Sequence, residues 1–173
     1  APDVRVNVER EIFPSLVEAG SLYACATAGY WTDIGTPARY LQANLDLVAG
    51  RWGLGPPAPH AHRRSPGVWA LGAGVVRGQV LGPALIGDAA YVASKATVVR
   101  SVIGAGARVE GRARVEGSVL LPGAVVRDAA VSGSIVGPAA LVQRGSQVTD
   151  GSIVGAGAVV GAGIVLAGGC VEA

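Results

Sequence analysis

The chain has 173 residues and a formal net charge of +2, with half its residues apolar and only 15% charged. That balance excludes an acidic or basic disordered chain. Its 27 glycines against eight aromatic residues exclude a conventional helix bundle, because each interior glycine costs about 1 kcal/mol relative to alanine, and glycine does not recur at every third position as collagen requires.

The basic residues are thirteen arginines and one lysine, Lys95. They form no long basic stripe interleaved with aromatics, so nucleic acid is not an expected partner. No apolar run approaches the ~20 residues of a membrane helix, and Ala1 to Arg5 do not read as a signal peptide. Methionine is absent throughout, which leads us to expect a native start upstream of Ala1 or a processed one. Cys25 and Cys170 lack metal-ligand spacing and fit reduced thiols, hence a cytoplasmic protein.

Residues 1–50 have a mixed α/β texture. Asn7 is placed to cap a short helix from Val8, with Glu9 in its first turn. Ile12, Phe13, Leu16 and Val17 give this helix an apolar face, Pro14 limits its length and Gly20 stops it. Ser21 to Ala26 and Gly29 to Ile34 read as two short strands, with Cys25 as a small buried hydrophobe and Tyr30 and Trp31 as core residues. Thr36-Pro37 is a helix start, cap followed by proline at the first helical position. Leu41, Leu45 and Val48 then share one helix face, and Gly50 ends it. Two helices and two strands are too little for an independent core, so residues 1–50 are expected to be the C-terminal remnant of a larger α/β domain. Residues 51–67 are a Pro/Gly-rich linker that carries His60, His62, Arg63 and Arg64.

From residue 68 onward the chain repeats itself. Ser101-Val-Ile-Gly-Ala-Gly-Ala returns as Ser118-Val-Leu-Leu-Pro-Gly-Ala, Ser134-Ile-Val-Gly-Pro-Ala-Ala and Ser152-Ile-Val-Gly-Ala-Gly-Ala, at intervals of 17, 16 and 18 residues. Inside each repeat aliphatic residues step by six, occasionally five. The chain of steps runs Trp69, Val75, Val80; Ile86, Val92, Val98; Ile103, Val109, Val115; Leu120, Val126, Val131; Val136, Val142, Val148; and Val154, Val160, Leu166. This spacing predicts a triangular β-solenoid over 68–173. Each step is a short strand and a corner, three steps make a coil, and the stepped aliphatic points inward. Gly and Ala fill the corners.

These repeats resemble the hexapeptide-repeat family, whose fold is the left-handed parallel β-helix. The resemblance supplies the handedness, which the spacing does not. The segment Val8-Glu9-Arg10-Glu11-Ile12-Phe13-Pro14, followed by Tyr30-Trp31-Thr32-Asp33-Ile34-Gly35-Thr36-Pro37, resembles the end of a sugar-1-phosphate nucleotidyltransferase domain of the mannose-1-phosphate guanylyltransferase kind, in which a hexapeptide-repeat helix follows. The expected fold is therefore mainly β, a left-handed parallel β-helix preceded by the end of an α/β nucleotidyltransferase domain.

The same resemblance implies that Asp33 is one of two aspartates holding a catalytic Mg2+ in the intact enzyme, and that Glu9 lies near the sugar pocket. It implies an NTP, GTP by preference, and a sugar-1-phosphate as substrates, and a nucleotide-sugar and pyrophosphate as products. The coil faces, poor in charge and rich in Ala and Val, suit packing against another subunit, so a homo-oligomer is expected. The family's glycine-rich nucleotide loop, its first metal-binding aspartate and its E-K-P stretch do not occur in these 173 residues, so the chain alone is expected to be inactive. One alternative is a non-catalytic assembly or regulatory β-helix module. Another is a hexapeptide-repeat acyltransferase, which needs a general base, whereas His60 and His62 both precede the coils.

Overall fold

The computed structural model describes residues 5–53 and 56–173; residues 1–4, and Leu54 and Gly55 of the connector, lie outside the described residues. The coil begins at β2 (Val68–Ala70), and an antiparallel strand β1 (His62–Ser65) closes its first edge. From β2 onward every pairing is parallel and joins a strand to its counterpart one coil later, building three sheets. The first sheet runs from β1 and β2 through Ala84–Ile86, Val102–Ile103, Val119–Leu120, Ile135–Val136 and Ile153–Val154 to Cys170–Val171. The second runs from Val75–Val76 to Val159–Val160, and the third from Gln79–Leu81 to Val165–Ala167. The result is a three-sided prism of about six turns, with the parallel β-solenoid architecture the repeat predicts.

The core is a column of stepped aliphatics. Val92, Val98, Ile103, Val109, Val115, Leu120, Val126, Val136, Val142, Val148 and Val154 are wholly buried, Ile86, Val131 and Val160 almost so, and Val80 and Leu166 pack against them. The first coil departs from the predicted register. Trp69 points outward between buried Val68 and Ala70, and Val75 is exposed while Val76 packs on the core. Alternation along a strand sends neighbouring residues to opposite faces, so an apolar residue one position away can take the inward place, and Ala70 and Val76, paired with Ile86 and Val92, do.

A second buried column accompanies the first. Two residues before nearly every inward aliphatic the chain buries a small residue: Ala90, Ala96, Ala107, Ala113, Ala124, Ala129, Ala140, Ser146 and Ala158 at two of the corners, and Ala84, Ser101, Ser118, Ser134 and Ser152 at the third. At the third corner the serines form a ladder. The Ser118 N–H donates to Ser101 Oγ and the Ser134 N–H to Ser118 Oγ, both at 3.1 Å. Ser118 Oγ in turn donates to the Glu116 carbonyl at 2.7 Å. The Ser101 and Ser118 hydroxyls thus each satisfy a backbone donor of the next coil, as Ser152 Oγ does for the Gly169 N–H at 3.3 Å, where a buried N–H without a partner would be costly. This is the physical reason for the recurring serine.

The first fifty residues are largely exposed. The chain turns through a π-helical segment (Val8–Ile12) into α1 (Phe13–Glu18). Asn7 caps it by accepting the Arg10 N–H, and Glu11 accepts the Asn7 N–H, both at 2.9 Å. Gly20, with φ +64, ends it. Ile12, Phe13 and Val17 are exposed. Residues 21–26 and 29–34 form no strands, because a strand exists through its ladder and no ladder partner stands beside them among the described residues. Cys25 and Trp31 are consequently exposed, not buried as expected. The helix α2 (Pro37–Val48) is capped by Thr36, whose Oγ1 accepts the Arg39 N–H at 3.3 Å. It lies on the first sheet, against the strands Ala84–Ile86 and Val102–Ile103.

Candidate functional site

The segment Tyr30 to Pro37 and α2 form one polar assembly beside the coil. Asp33 Oδ1 accepts the Gly35 N–H at 2.9 Å, the local turn expected of an Asp ahead of a glycine. Its other oxygen accepts from Arg39 Nη1 at 2.9 Å, and both side chains remain about half exposed. The Asp33 carboxylate therefore stands at the N-terminal end of α2, held by Arg39 one turn into the helix. Glu9 sits in the exposed π-helical segment and has no side-chain partner among the described residues.

Asp46 is the buried charge of the assembly. It is 6% exposed and is, with Ala43 and Val48, one of the three buried residues of α2. Its carboxylate accepts from the Tyr30 hydroxyl at 2.7 Å, from Gln42 Nε2 at 2.8 Å and from Arg51 Nη1 at 2.9 Å. Burial pushes the Asp46 carboxyl up, but the hydrogen bonds of Tyr30 and Gln42 and the charge of Arg51 outweigh it and hold the group below the ordinary carboxylate range. The hydrogen bond to Asp46 correspondingly raises the Tyr30 hydroxyl. Tyr30 also stacks on Trp52, with ring centroids 5.2 Å apart. The helix-face reading from Leu41, Leu45 and Val48 did not find this cluster. The available signal was a single acidic residue, Asp46, among the apolar Leu45, Leu47 and Val48.

A cleft of about 310 Å³ opens between α2 and the coil, lined by Gln42, Asp46, Arg51, Pro83, Arg100 and Gly117 among others. A more apolar groove of about 240 Å³ lies on the other flank of α2, lined by Thr32, Ile34, Tyr40, Ala43, Leu47 and Trp52.

No group of three or more His, Cys, Asp or Glu side chains is gathered for a metal among the described residues. Asp33 supplies one half-exposed carboxylate with both oxygens engaged. A divalent cation needs further oxygen ligands, so the described residues do not by themselves hold Mg2+. His62 lies on β1 and His60 in the preceding turn with φ 63, so neither stands on the coil proper. No helix among the described residues is long and apolar enough to cross a membrane.

Comparison with known proteins agrees with this geometry. The chain is 38% identical to the mannose-1-phosphate guanylyltransferase of Mycobacterium tuberculosis (strain ATCC 25618 / H37Rv) over 101 residues, covering 50% of this chain and 27% of that protein. It is 28% identical to the glucose-1-phosphate adenylyltransferase of Fervidobacterium nodosum over 102 residues, covering 59% of this chain and 20% of that protein. A shorter stretch of 35 residues, 20% of this chain and 10% of the relative, is 49% identical to the mannose-1-phosphate guanylyltransferase catalytic subunit beta of Danio rerio. The matches thus span about a quarter or less of the length of these relatives. The GMPPB C-terminal domain matches residues 80–172, which are all but the first strands of the coil. The stacked six-residue steps, the left-handed parallel β-helix they make and this match over more than half its length establish that the chain belongs to the GMPPB C-terminal domain family.

Proposed function

We propose that this chain is the C-terminal part of a cytoplasmic enzyme that joins a nucleoside triphosphate to a sugar-1-phosphate and releases pyrophosphate, with GTP and mannose-1-phosphate as preferred substrates and GDP-mannose as product. The observation that carries the reading is the order of parts: the Tyr30-to-Pro37 segment, with Asp33 at the head of α2, leads directly onto a coil of the GMPPB C-terminal domain family. The relatives named above are guanylyl- and adenylyltransferases of hexose-1-phosphates, which supports the reaction class.

In this reading residues 1–50 complete the catalytic α/β domain, residues 51–67 link it to the coil, and residues 68–173 are the β-helix. Asp33 is one carboxylate of a Mg2+ site whose other ligands are not among the described residues. When bound there, the ion would neutralise phosphate charge. What the chain's own residues do is position: Gly35 and Arg39 orient the Asp33 carboxylate, and the Tyr30–Asp46–Arg51 cluster fixes the segment to α2. Glu9 faces the sugar side. The 173 residues alone are inactive, because a single carboxylate makes neither a metal nor a nucleotide site. The coil serves assembly, so the working protein is a homo-oligomer.

The test is pyrophosphate release by the protein purified from its native gene, with GTP, ATP, UTP and dTTP each paired with mannose-1-phosphate and glucose-1-phosphate. GTP with mannose-1-phosphate should turn over fastest. Release with none of the pairs would overturn the enzyme reading in favour of a non-catalytic assembly module. A monodisperse monomer by light scattering at high micromolar concentration would overturn the homo-oligomer.

A further inference from the structure

The three corners of the prism differ chemically. The corner from first to second sheet carries one charged residue, Asp88, and the corner from third back to first carries Arg100 and Asp150. The corner from second to third carries Arg77, Lys95, Arg112 and Arg144, with Arg127 at the end of the strand that enters it and one acid, Asp128, so that five consecutive coils each bring a cation there. All five are exposed. The register sets them in adjoining columns along the coil axis: Thr97 pairs with Arg114, which puts Lys95 beside Arg112, Arg114 pairs with Ala130, which puts Asp128 next in that column, and Arg127 pairs with Glu110. At the ~4.8 Å spacing of neighbouring strands, four coil steps make a ridge roughly 19 Å long.

Within the ridge only Arg127 has an ionic partner, Glu110 at 2.8 Å. Arg77, Lys95, Arg112 and Arg144 have none among the described residues. Asp128 Oδ1 is occupied by the Arg112 N–H at 2.8 Å. Shallow clefts of about 270 and 230 Å³ flank Asp128, the first lined by Arg112, Arg114 and Gln147 and the second by Arg127, Gln143 and Arg144. In a three-sided prism this corner lies opposite the first sheet, on which α2 packs. The ridge therefore stays open whatever else covers the α2 side.

We propose that this ridge docks an acidic polypeptide segment of a partner protein, extended along the coil axis. At ~3.3 Å per residue the ridge length matches about six residues of extended chain. A peptide suits it better than a nucleic acid for two reasons. Glu110 and Asp128 interrupt the cations and repel an unbroken phosphate backbone, whereas a peptide can set a neutral or basic residue opposite them. The ridge's aromatic neighbour, Tyr91, already has the Arg108 guanidinium over its ring at 4.8 Å, where a base would have to compete to stack. The inference goes beyond the proposed reaction and does not depend on it.

The test is fluorescence anisotropy of the full chain with a labelled hexaglutamate peptide, beside a single-stranded oligonucleotide of equal charge. The two-site reversal Arg112→Glu/Arg144→Glu is compared with Arg10→Glu/Arg63→Glu, which changes net charge equally away from the ridge. The ridge reversal should weaken peptide binding about tenfold or more and the control less than about twofold. Arg112→Gln/Arg144→Gln repeats the test should the double reversal lose its β circular-dichroism spectrum. Equal weakening by both reversals, tighter binding of the oligonucleotide through the same arginines, or no peptide binding would each overturn the proposal.

Discussion

The Tyr30 hydroxyl donates to Asp46 Oδ2 at 2.7 Å across sixteen residues of sequence. This bond ties the segment that carries Asp33 to the buried face of α2, and α2 in turn to the first sheet of the coil. Position of the candidate site is thus set by a buried carboxylate near the opposite end of α2 from Asp33. The cluster is coupled, because Gln42 and Arg51 hold the same carboxylate.

That coupling makes stability depend on pH with a definite sign. The Asp46 carboxyl is held below its ordinary value in the folded chain. Its contribution is fully present above the unfolded carboxyl pKa of ~3.9 and is lost as pH falls through the lower folded value. Thermal melts of Asp46→Asn should show a lower Tm than wild type at pH 7, with the difference narrowing below pH ~4. A pH-independent difference would contradict the assignment. Tyr30→Phe, which keeps the Trp52 stack, should lower Tm in the same direction by less.

Asp33 is expected to separate function from stability. Its ion pair with Arg39 is half exposed, and such pairs contribute at most about 1 kcal/mol. Asp33→Asn should therefore leave the melt of the chain almost unchanged. In the complete native protein it should lower kcat/KM for nucleotide-sugar formation by about a hundredfold or more, the loss expected when a metal ligand worth several kcal/mol is removed.

Adjacent valines on the same strand provide a test of the inward register. Val160 is 2% exposed and Val159 51% exposed. Val160→Ala should cost about 1.5–3 kcal/mol in denaturant unfolding, the transfer of two methyl groups plus the cavity left behind. Val159→Ala should stay within about 0.5 kcal/mol.

Close coil stacking should make one glycine indispensable and another replaceable. A Cβ on Gly137 would stand 2.6 Å from the Val154 carbonyl oxygen, whereas a Cβ on Gly161 meets nothing nearer than 3.8 Å. Gly137→Ala should cost roughly 1–3 kcal/mol because backbone cannot move aside without disturbing the ladder. Gly161→Ala should be neutral or slightly stabilising.

How far the fold was legible depends on the kind of information each part uses. The coil is a local code. A small residue, one spacer and an aliphatic recur every six positions, and each coil rests only on its neighbours, so reading the period from Ile86 to Leu166 returned the inward column. The first coil escaped because Trp69 and Val75 are flanked by equally apolar Val68, Ala70 and Val76, and only stacking on Ile86 and Val92 chooses between them. The serine ladder was visible as a recurrence, but its purpose emerged from the hydrogen bonds between coils. Caps at Asn7 and Thr36 were readable because they act within three residues.

What the sequence by itself determined is therefore the period, the number of coils, the two helix starts and the family. The packed chain settles the rest: that Asp46 is buried and shared by Tyr30, Gln42 and Arg51, that residues 21–34 find no ladder among the described residues, and that five cations from distant repeats gather along one corner opposite α2. The division follows from range. Periodicity, capping and corner glycines are settled by neighbours within a few residues, whereas burial of a charge, strand pairing and the stacking of charges depend on which distant segments the fold brings within a few ångströms.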